Sequence, residues 1–506
     1  MLQHIPILSV LIWLPIIGAV LVAALRKPEQ VQQARLLAVT ISVLNLALCL
    51  PMYLDFDGST AAMQFTEYAT WIPALKIHYS LGVDGISMPL VVLTCFTTLL
   101  VVMASWTMVK VKVPQYLATF LVTQGAIVGV FTSLDAMLFY FFWEAMLIPM
   151  YLSIGIWGME RRSYAAIKFF IYTFFGSALL LMAILYLRMT SQTFDILHYY
   201  QMHMSMNVQI FIFVAFLIAF AIKVPMWPVH TWLPDAHTEA PVGGSVILAA
   251  LMLKLGGYGF LRFSLPIVPD ACRHLQWLMI VLSLIAIVYI GYVAIAQTDM
   301  KKLIAYSSVA HMGFVTLGCF LIYLIVDRTG NWQAAYLGLE GAMVQMLSHA
   351  FGAGAMFLAF GILYQQLHTR YIRHFGGIAK TMPIFSAFFM VFAMSNVGLP
   401  GTSGFVGEFM VILSSFKASF WVTFFAASTL VIGATYTLWM YKRVFFGPVT
   451  NEAVEKLQDV KGVDVLIFVM LTIAVVWIGV YPHSLLNVFH ATVGNLLQIS
   501  MQSHLG

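Results

Sequence analysis

The sequence predicts an all-α, polytopic membrane protein with about 14 transmembrane helices. Three observations favour this fold class. Hydrophobic residues make up 61% of the 506 residues, charged residues make up only 9%, and the mean hydropathy is +0.92; soluble domains are about one quarter charged. The apolar runs reach about 20 residues, which suits helices that cross a bilayer and is too long for the strands of a membrane barrel. No polar domain interrupts the series of apolar runs.

The apolar segments follow one another along the chain. They span approximately residues 5–25, 36–54, 84–108, 115–133, 135–157, 165–188, 209–238, 242–263, 275–297, 302–326, 336–364, 383–415, 418–446 and 463–488. The first lacks a basic leader and is too long for a signal peptide, so we expect it to be retained as a span. Segments 7 and 12 exceed the length of one span and contain internal proline or glycine, which predicts that both helices are discontinuous.

The two discontinuous segments lie five segments apart, which predicts two inverted five-helix repeats. An odd offset reverses the direction of corresponding helices, and broken helices in such repeats mark transport sites. The predicted domains are residues 1–114 (helices 1–3), 115–263 (first repeat, helices 4–8), 275–446 (second repeat, helices 9–13) and 447–506 (a loop and helix 14). The two halves share little sequence, so this prediction depends on hydropathy and helix breaks.

The basic residues predict the orientation in the membrane. Most lysines and arginines lie in the odd-numbered loops. The positive-inside rule therefore places these loops in the cytoplasm and both termini on the periplasmic side. With no organelle-targeting leader visible, we expect a bacterial inner (plasma) membrane rather than a mitochondrial inner membrane.

Composition and motifs exclude several kinds of site. The cysteines at positions 49, 95, 272 and 319 are scattered, which argues against an iron–sulfur cluster or structural zinc in this chain. The glycine-rich stretch "LKLGGYGF" does not match a nucleotide-binding fingerprint. The net charge of +5 is spread over the loops and does not indicate nucleic acid. We expect no cofactor, no metal and no redox centre in this chain.

Four ionisable residues lie deep inside apolar segments, namely Glu144, Lys223, Lys254 and Glu408. Each costs about 2.5–3.5 kcal/mol at the centre of a spanning helix, and such residues commonly mark proton or ion pathways. Glu144 and Lys223 could form an ion pair that only fixes helix packing, but such pairs rarely stabilise more than apolar residues of equal volume. We favour a pair in which each group tunes the proton affinity of the other. The prolines after Lys223 would open its helix to water.

Two histidines and the remaining charged residues suit a proton relay. Lys254 lies too deep to extend to a membrane surface, so we interpret it as a relay residue. His311 and His349 titrate near neutral pH and suit the same role, although a hydrogen-bonded core histidine is the alternative for each. Glu408 follows the "GLPGTSG" break, where water could reach it. The alternative for Glu408 is a cap at a helix end.

Other polar residues receive structural interpretations. His230, Asp235 and His237 in "WPVHTWLPDAH" lack the spacing of a metal site, and we expect them to order water and backbone at the cytoplasmic end of broken helix 7. Asp84 and Asp135 precede apolar segments, which is typical of helix N-caps.

Four stretches carry a family resemblance, namely "FWEAMLIPMY", "AIKVPMWPVHTWLPDAHTEAPVGGSVILAALMLKLGGYGFLRF", "DMKKLIAYSSVAHMGF" and "LPGTSGFVGEFMVIL". They resemble the proton-translocating, antiporter-like membrane subunits of respiratory complex I, the NADH:quinone oxidoreductase. The likeness covers nearly the whole chain. Three types of these subunits exist. The L and N types usually carry lysine in broken helix 12, so Glu408 favours the third type.

The resemblance implies a role for each buried charge. Glu144 would pair with Lys223, Lys254 would be the central relay, Glu408 would be the exit-side residue, and the two histidines would lie along the hydrated axis between them. It also implies partners: the L-type and N-type chains, the lateral helix of the L-type chain, lipids, protons and water. Flavin, iron–sulfur clusters and quinone would be bound by partner subunits.

Three functions are compatible with these observations. The leading hypothesis is a proton-translocating subunit that couples quinone reduction elsewhere in the enzyme to proton pumping. The second is a subunit of a redox-independent cation/proton antiporter, which flavin and iron–sulfur subunits would not accompany in purification. The third is a non-transporting scaffold of the membrane arm, whose buried charges could be replaced by apolar residues without loss of coupling.

Overall fold

Helices dominate the computed structural model, which describes residues 6–449 and 451–506. Within these ranges thirteen helices are long and apolar enough to cross a bilayer. The predicted start of the first segment at residue 5 lies outside the described residues. The predicted class, a polytopic helical membrane protein, is confirmed.

The elements follow in chain order. The first half contains α1 (Ile7–Ala24), α2 (Val31–Leu54), β1 (Gln64–Ile72), β2 (Ile77–Val83), α3 (Ser87–Met108), α4 (Val113–Thr132), α5 (Ala136–Ala145), α6 (Leu147–Trp157), α7 (Arg162–Ser191), α8 (Ile196–Tyr199), α9 (Met206–Lys223), α10 (Trp232–Glu239), α11 (Val242–Ile247), α12 (Leu253–Gly259), α13 (Leu265–Ile267) and α14 (Pro269–His274). The second half contains α15 (Gln276–Ile295), α16 (Met300–Thr329), α17 (Trp332–Leu367), α18 (Ile378–Thr381), α19 (Pro383–Val397), α20 (Ser403–Ala418), α21 (Phe420–Ala427), α22 (Thr429–Phe445), α23 (Glu452–Glu455), α24 (Val463–Val480) and α25 (His483–Met501). Short 3₁₀ turns lie at Pro28–Gln30, Pro73–Leu75 and Ile372–His374, and π-helical segments lie at Leu248–Met252 and Phe260–Ser264.

The chain forms two compact units. Unit 1 comprises Met1–Pro225, Leu251–Gln276 and Leu486–Gly506, and unit 2 comprises Met226–Ala250 and Trp277–Leu485. The division into inverted repeats over residues 115–263 and 275–446 stays a prediction.

Predicted segments 7 and 12 are both discontinuous. The first breaks after Lys223, where Pro225 and Pro228 each follow a cis peptide bond and neither can donate a helix hydrogen bond. The second breaks between α19 and α20, where Gly398 and Gly401 have φ of +80° and +90°. Glycine adopts this left-handed conformation without the steric penalty of other residues, so it can end a helix here.

Two helical features differ from the sequence prediction. Predicted segment 5 is divided at Met146, because Pro149 offers no N–H to the carbonyl of Ala145. Predicted segment 14 ends at Val480, and a separate helix, α25, follows Pro482. The sequence analysis did not recognise α25, although its buried side chains recur at helical spacing (Leu485, Val488, Phe489, Thr492 and Leu496).

A β-hairpin in unit 1 was also not predicted. Strands β1 and β2 pair antiparallel. Glu67 of β1 accepts hydrogen bonds from the backbone N–H groups of Leu8 (2.7 Å) and Ser9 (3.2 Å). These donors belong to the first turn of α1 and have no partner within that helix. The carboxylate therefore caps α1 and fastens the hairpin to it.

The C-terminal residues complete unit 1. The N–H of Gly85 donates to the hydroxyl of Thr492 on α25 at 3.0 Å, and the N–H of Met204 donates to the carbonyl of His504 at 2.8 Å. Gly85 lies so close to the backbone of Val488 and Phe489 that any Cβ would overlap them. Residues distant in sequence thus share one core.

Candidate functional site

In unit 1, Lys223 is the last residue of α9 and is buried at the helix break. The carbonyl groups at a helix C-terminus favour a cation at this position. Helix α12 approaches the same point closely: a Cβ on Gly256 would lie 2.7 Å from the carbonyl oxygen of Phe220 and 2.8 Å from the backbone nitrogen of Val224. Backbone packing therefore fixes the end of α9 and with it Lys223.

The ammonium group of Lys223 lies among aromatic rings. Its Nζ atom is 5.3 Å from the ring centre of Trp143 and 5.8 Å from that of Phe169. Glu144 interacts with it electrostatically, and the Glu144 carboxylate contacts the hydroxyl of Ser177. Within the described part of the chain, neither Lys223 Nζ nor Glu144 Oε1 has a hydrogen-bond partner. Cation–π attraction compensates only part of the lost hydration, so this is a costly place for a fixed charge.

Lys254 is fully buried on α12. A π-helical segment precedes α12 and another follows it. Such segments are rare and occur frequently at functional sites, because the extra residue in the turn costs backbone stability. The structure places Lys254 in unit 1 together with Lys223 and Glu144.

In unit 2, Glu408 and His311 are in direct contact. His311 Nδ1 lies 2.5 Å from Glu408 Oε1, and the amide of Gln345 donates to the same oxygen at 3.0 Å. The three side chains come from α16, α17 and α20 and are buried. Two of the predicted residues thus form one hydrogen-bonded pair.

A second amide fixes the orientation of His311. Asn396 donates from Nδ2 to the hydroxyl of Thr437 at 2.8 Å, which leaves its Oδ1 facing His311 Nε2 at 3.1 Å. An oxygen acceptor at this distance favours the tautomer that carries a proton on Nε2.

The Glu408–His311 contact therefore contains a proton. A carboxylate oxygen and an unprotonated imidazole nitrogen are both acceptors and repel each other at hydrogen-bond distance. One proton therefore lies between Nδ1 and the carboxylate oxygen. The pair is a buried position that holds a single exchangeable proton.

His349 and Tyr436 complete this group. The ring centres of His311 and His349 are 5.8 Å apart, and the Tyr436 hydroxyl is 3.5 Å from His311 Nε2. The structure therefore brings all three predicted residues of unit 2 together. The sequence analysis missed the residues that orient them, Gln345, Asn396, Tyr436 and Thr437. The sequence does carry a signal for two of these residues, because Gln345 and Asn396 are amides within the apolar runs "GAMVQML" and "AMSNVGLP".

The three polar residues of "WPVHTWLPDAH" lie on α10 or just before it, and their expected role in ordering water and backbone stays a prediction. His237 stacks on Phe357 with ring centres 4.5 Å apart, and His230 lies 6.5 Å from the ring centre of Tyr306. Asp235 lies in the first turn of α10. Across residues 6–449 and 451–506, no group of three or more His, Cys, Asp or Glu residues is arranged to hold a metal.

Both predicted N-caps are confirmed. Asp135 accepts hydrogen bonds from the N–H groups of Met137 (2.9 Å) and Leu138 (3.1 Å) at the start of α5. Asp84 accepts from the N–H groups of residues 86 (3.1 Å) and 87 (3.0 Å) at the start of α3. Asp84 also forms an ion pair with Arg262, which the sequence did not indicate.

A second unpredicted ion cluster lies at one end of unit 2. Arg370 contacts Asp299 at 2.8 Å and Glu239 at 3.3 Å. Asp299 also caps α16 by accepting from the N–H of Lys301 at 2.9 Å. Burial raises the pKa of Asp299 above its usual value, although the charge of Arg370 opposes this shift. The Lys301 ammonium donates to the carbonyl of Ala240 at 2.6 Å, which ties the end of α10 to α16.

A helical bundle that buries carboxylate, ammonium and imidazole groups belongs to the class of membrane proteins that handle protons or ions. The sequence pattern of the family described as "NADH:quinone oxidoreductase/Mrp antiporter, TM" matches residues 133–433. That of "NADH-ubiquinone oxidoreductase chain 4, amino terminus" matches residues 34–132.

Individual relatives agree with these matches. NADH-quinone oxidoreductase subunit M of Rhodobacter capsulatus is 44% identical, over 97% of this chain and 96% of its own length. Subunit M of Rickettsia bellii is 42% identical, over 98% of this chain and 99% of its own. A chain of respiratory complex I from Thermus thermophilus superposes with a TM-score of 0.87 at 28% identity, covering 98% of this chain and 100% of its own. The chain belongs to the subunit M (chain 4) family of the NADH:quinone oxidoreductases.

Proposed function

We propose that this chain moves protons across the bilayer through Glu144, Lys223, Lys254, His311, His349 and Glu408. The energy would come from NADH oxidation and quinone reduction in other subunits of the complex. The observation that carries the proposal is the Glu408–His311 contact, because it joins two buried side chains that can each bind and release a proton. A scaffold would have no need of such a position.

The network of unit 2 supports proton release at Glu408. The proton can reside on His311 Nδ1 or on the carboxylate with almost no movement of heavy atoms. Gln345 donates to the carboxylate and holds it in place beside His311. His349, in ring contact with His311, would supply the proton.

The site of unit 1 supports proton loading. Lys223 has no fixed hydrogen-bond acceptor in the described residues, so its ammonium form depends on the charge of Glu144. Weakening this interaction would make Lys223 release its proton towards Lys254. A change in charge at Glu144 would therefore act as the switch.

The same proposal gives the chain its place in the cell. It would be a multi-pass subunit of the translocase in a bacterial inner membrane, with both termini on the periplasmic side. Its neighbours would be the L-type and N-type chains and the lateral helix of the L-type chain. Flavin, iron–sulfur clusters and quinone would lie in other subunits, and the four cysteines here are buried thiols.

The test is to separate electron transfer from pumping in the intact complex. We expect Glu144→Gln and Lys223→Ala to leave NADH oxidation by an artificial electron acceptor unchanged while proton pumping into vesicles collapses. The exposed Lys110 gives a matched control, since Lys110→Ala removes the same group without affecting the buried site. Normal pumping in both buried-site variants would contradict the pathway.

The family pattern also covers antiporters that act without redox partners, so a redox-independent cation/proton antiporter is the second candidate. The composition of the complex purified in mild detergent decides between them. Copurifying flavin and iron–sulfur subunits support the oxidoreductase, and their absence together with antiport activity supports the second candidate.

A further inference from the structure

A buried ion pair of unit 1 has no part in the pathway proposed above. Arg262 Nη2 lies 2.7 Å from Asp84 Oδ2, and their side chains are only 6% and 1% exposed. Arg262 Nε also donates to the hydroxyl of Tyr258 at 3.1 Å, and Tyr258 donates to the carbonyl of Phe131 at 3.1 Å. The guanidinium group is thus held rigidly from two sides.

A cavity of about 220 Å³ adjoins this pair. Asp84 and Arg262 line it together with polar side chains from other parts of unit 1, including Tyr200, Thr492 and Asn495. A water molecule occupies about 30 Å³ in the liquid, so the cavity has room for several waters with polar partners. Water can therefore approach Arg262 from this end of unit 1.

Arg262 follows Lys254 on one continuous helical segment. Lys254, Tyr258 and Arg262 are spaced by four residues each, the spacing that places side chains along one helical row. At 1.5 Å per residue, the axial distance from Lys254 to Arg262 is about 12 Å. The order along the row is Lys254, the Tyr258 phenol and the Arg262 guanidinium, which borders the cavity.

We propose that Arg262 is an electrostatic barrier that keeps protons on Lys254 from escaping into this cavity. A fixed positive charge repels protons in a narrow polar passage, as charged constrictions do in selective channels. Arginine suits this role better than lysine because its guanidinium does not deprotonate in proteins and cannot relay a proton. Asp84 and Tyr258 hold the charge in place. This inference rests on the proposed function, in which Lys254 carries protons.

The test is the passive proton leak of proteoliposomes that contain the intact complex, with an imposed pH gradient and no NADH. We expect Arg262→Met to raise the leak by roughly tenfold or more, because a unit charge beside the passage changes the barrier by at least the energy of one pKa unit. Arg262→Lys should raise it much less. Arg162→Met, which removes an exposed arginine of unit 1, should leave it unchanged.

The Asp84→Asn variant distinguishes an electrostatic barrier from an ion pair that has only a structural role. Arg262→Met and Asp84→Asn break the same pair, so a purely structural role predicts that both variants leak. An electrostatic barrier predicts that Asp84→Asn leaks no more than the wild type, because Arg262 keeps its charge and loses its counterion. Equal leaks in the two variants, or no leak in an assembled Arg262→Met complex, would overturn the proposal.

NADH-driven pumping measured in the same vesicles tests the proposed function separately. Wild-type pumping in Lys223→Ala would contradict that function whatever the leak of Arg262→Met. If Arg262→Met does not assemble, Arg262→Gln serves in its place. It removes the charge but keeps a polar side chain, and a wild-type leak in the assembled Arg262→Gln complex would overturn the proposal.

Discussion

The two units bury their charged groups in opposite ways. In unit 1, Lys223 and Glu144 interact through space, and each keeps a polar atom without a hydrogen-bond partner in the described residues. In unit 2, Glu408 bonds to His311 and Gln345, and Asn396 completes the set. The first arrangement makes the protonation of a lysine sensitive to its surroundings. The second holds a proton in a defined position. Unit 1 thus contains a lysine whose protonation can respond to a neighbouring charge, and unit 2 contains a hydrogen-bonded pair that holds a proton.

The largest expected effect concerns stability and would test this difference directly. Glu408→Leu should lower the stability of unit 2 by about 3–5 kcal/mol, because it leaves His311 and Gln345 buried without their partner. Glu144→Leu should cost less, about 1–3 kcal/mol, since it removes one contact, with the Ser177 hydroxyl, and the through-space attraction to Lys223. Heat-induced release of the chain from the purified complex measures both. Equal effects would show that the two sites do not differ in this way.

The next effect concerns how unit 1 positions Lys223. Gly256→Ala would press a methyl group against the backbone of Phe220 and Val224. Overpacking of this kind costs about 1–3 kcal/mol, more than the ~1 kcal/mol that alanine gains in helix propensity. Gly354→Ala in unit 2 is the control, because its nearest neighbours would be 3.8 Å away. We expect lower thermal stability and slower pumping only in Gly256→Ala. Unchanged behaviour would mean that α12 does not hold α9 in place.

A smaller effect should come from the amide that orients His311. Asn396→Leu removes the acceptor of Nε2 and should cost about 1–3 kcal/mol, since a buried donor loses its partner. It should also shift the pH profile of pumping, because the imidazole then chooses its tautomer freely. Thr437→Val should shift the profile less, because Thr437 bonds to Asn396 rather than to His311. Proton pumping measured across pH, with electron transfer as the reference, distinguishes this positioning role from a general loss of stability.

The smallest effect compares two caps. Asp135 caps α5 in unit 1, and Asp299 caps α16 in unit 2, but only Asp299 also binds Arg370. Asparagine caps helices as well as aspartate, so Asp135→Asn should lose only the bond that Oδ2 accepts from the N–H of His78 at 3.0 Å, at a cost of about 1 kcal/mol. Asp299→Asn loses a half-buried ion pair and should cost about 1 kcal/mol more. Thermal unfolding of the two variants gives the comparison, and a greater loss in Asp135→Asn would contradict it.

The sequence predicted those features that depend on hydropathy and on rare residues. Glu144, Lys223, Lys254 and Glu408 stand out because charge is expensive in an apolar run, and the breaks follow from Pro225 and Gly398. The same reasoning could not find Asn396 or Gln345, because their importance depends on which helices meet. Arg262 was missed for the same reason, as its partner Asp84 lies 178 residues away. The hairpin was missed because it lies between two long apolar segments, and α25 was missed because it follows the last long apolar helix.

The packing of α25 against the rest of unit 1 has a consequence for how the protein is made on the ribosome. Unit 1 contains the N-terminal helices and Lys223, yet it also needs Thr492 and His504. A ribosome adds residues in order, at about 5–20 per second, so unit 1 waits about 10–40 seconds between Gln276 and the start of its last segment at Leu486. During that interval the groove that receives α25 is uncovered. Assembly factors or neighbouring chains would therefore meet an unfinished unit 1, and a nonsense codon near the end of the gene would damage the part of the protein that was translated first.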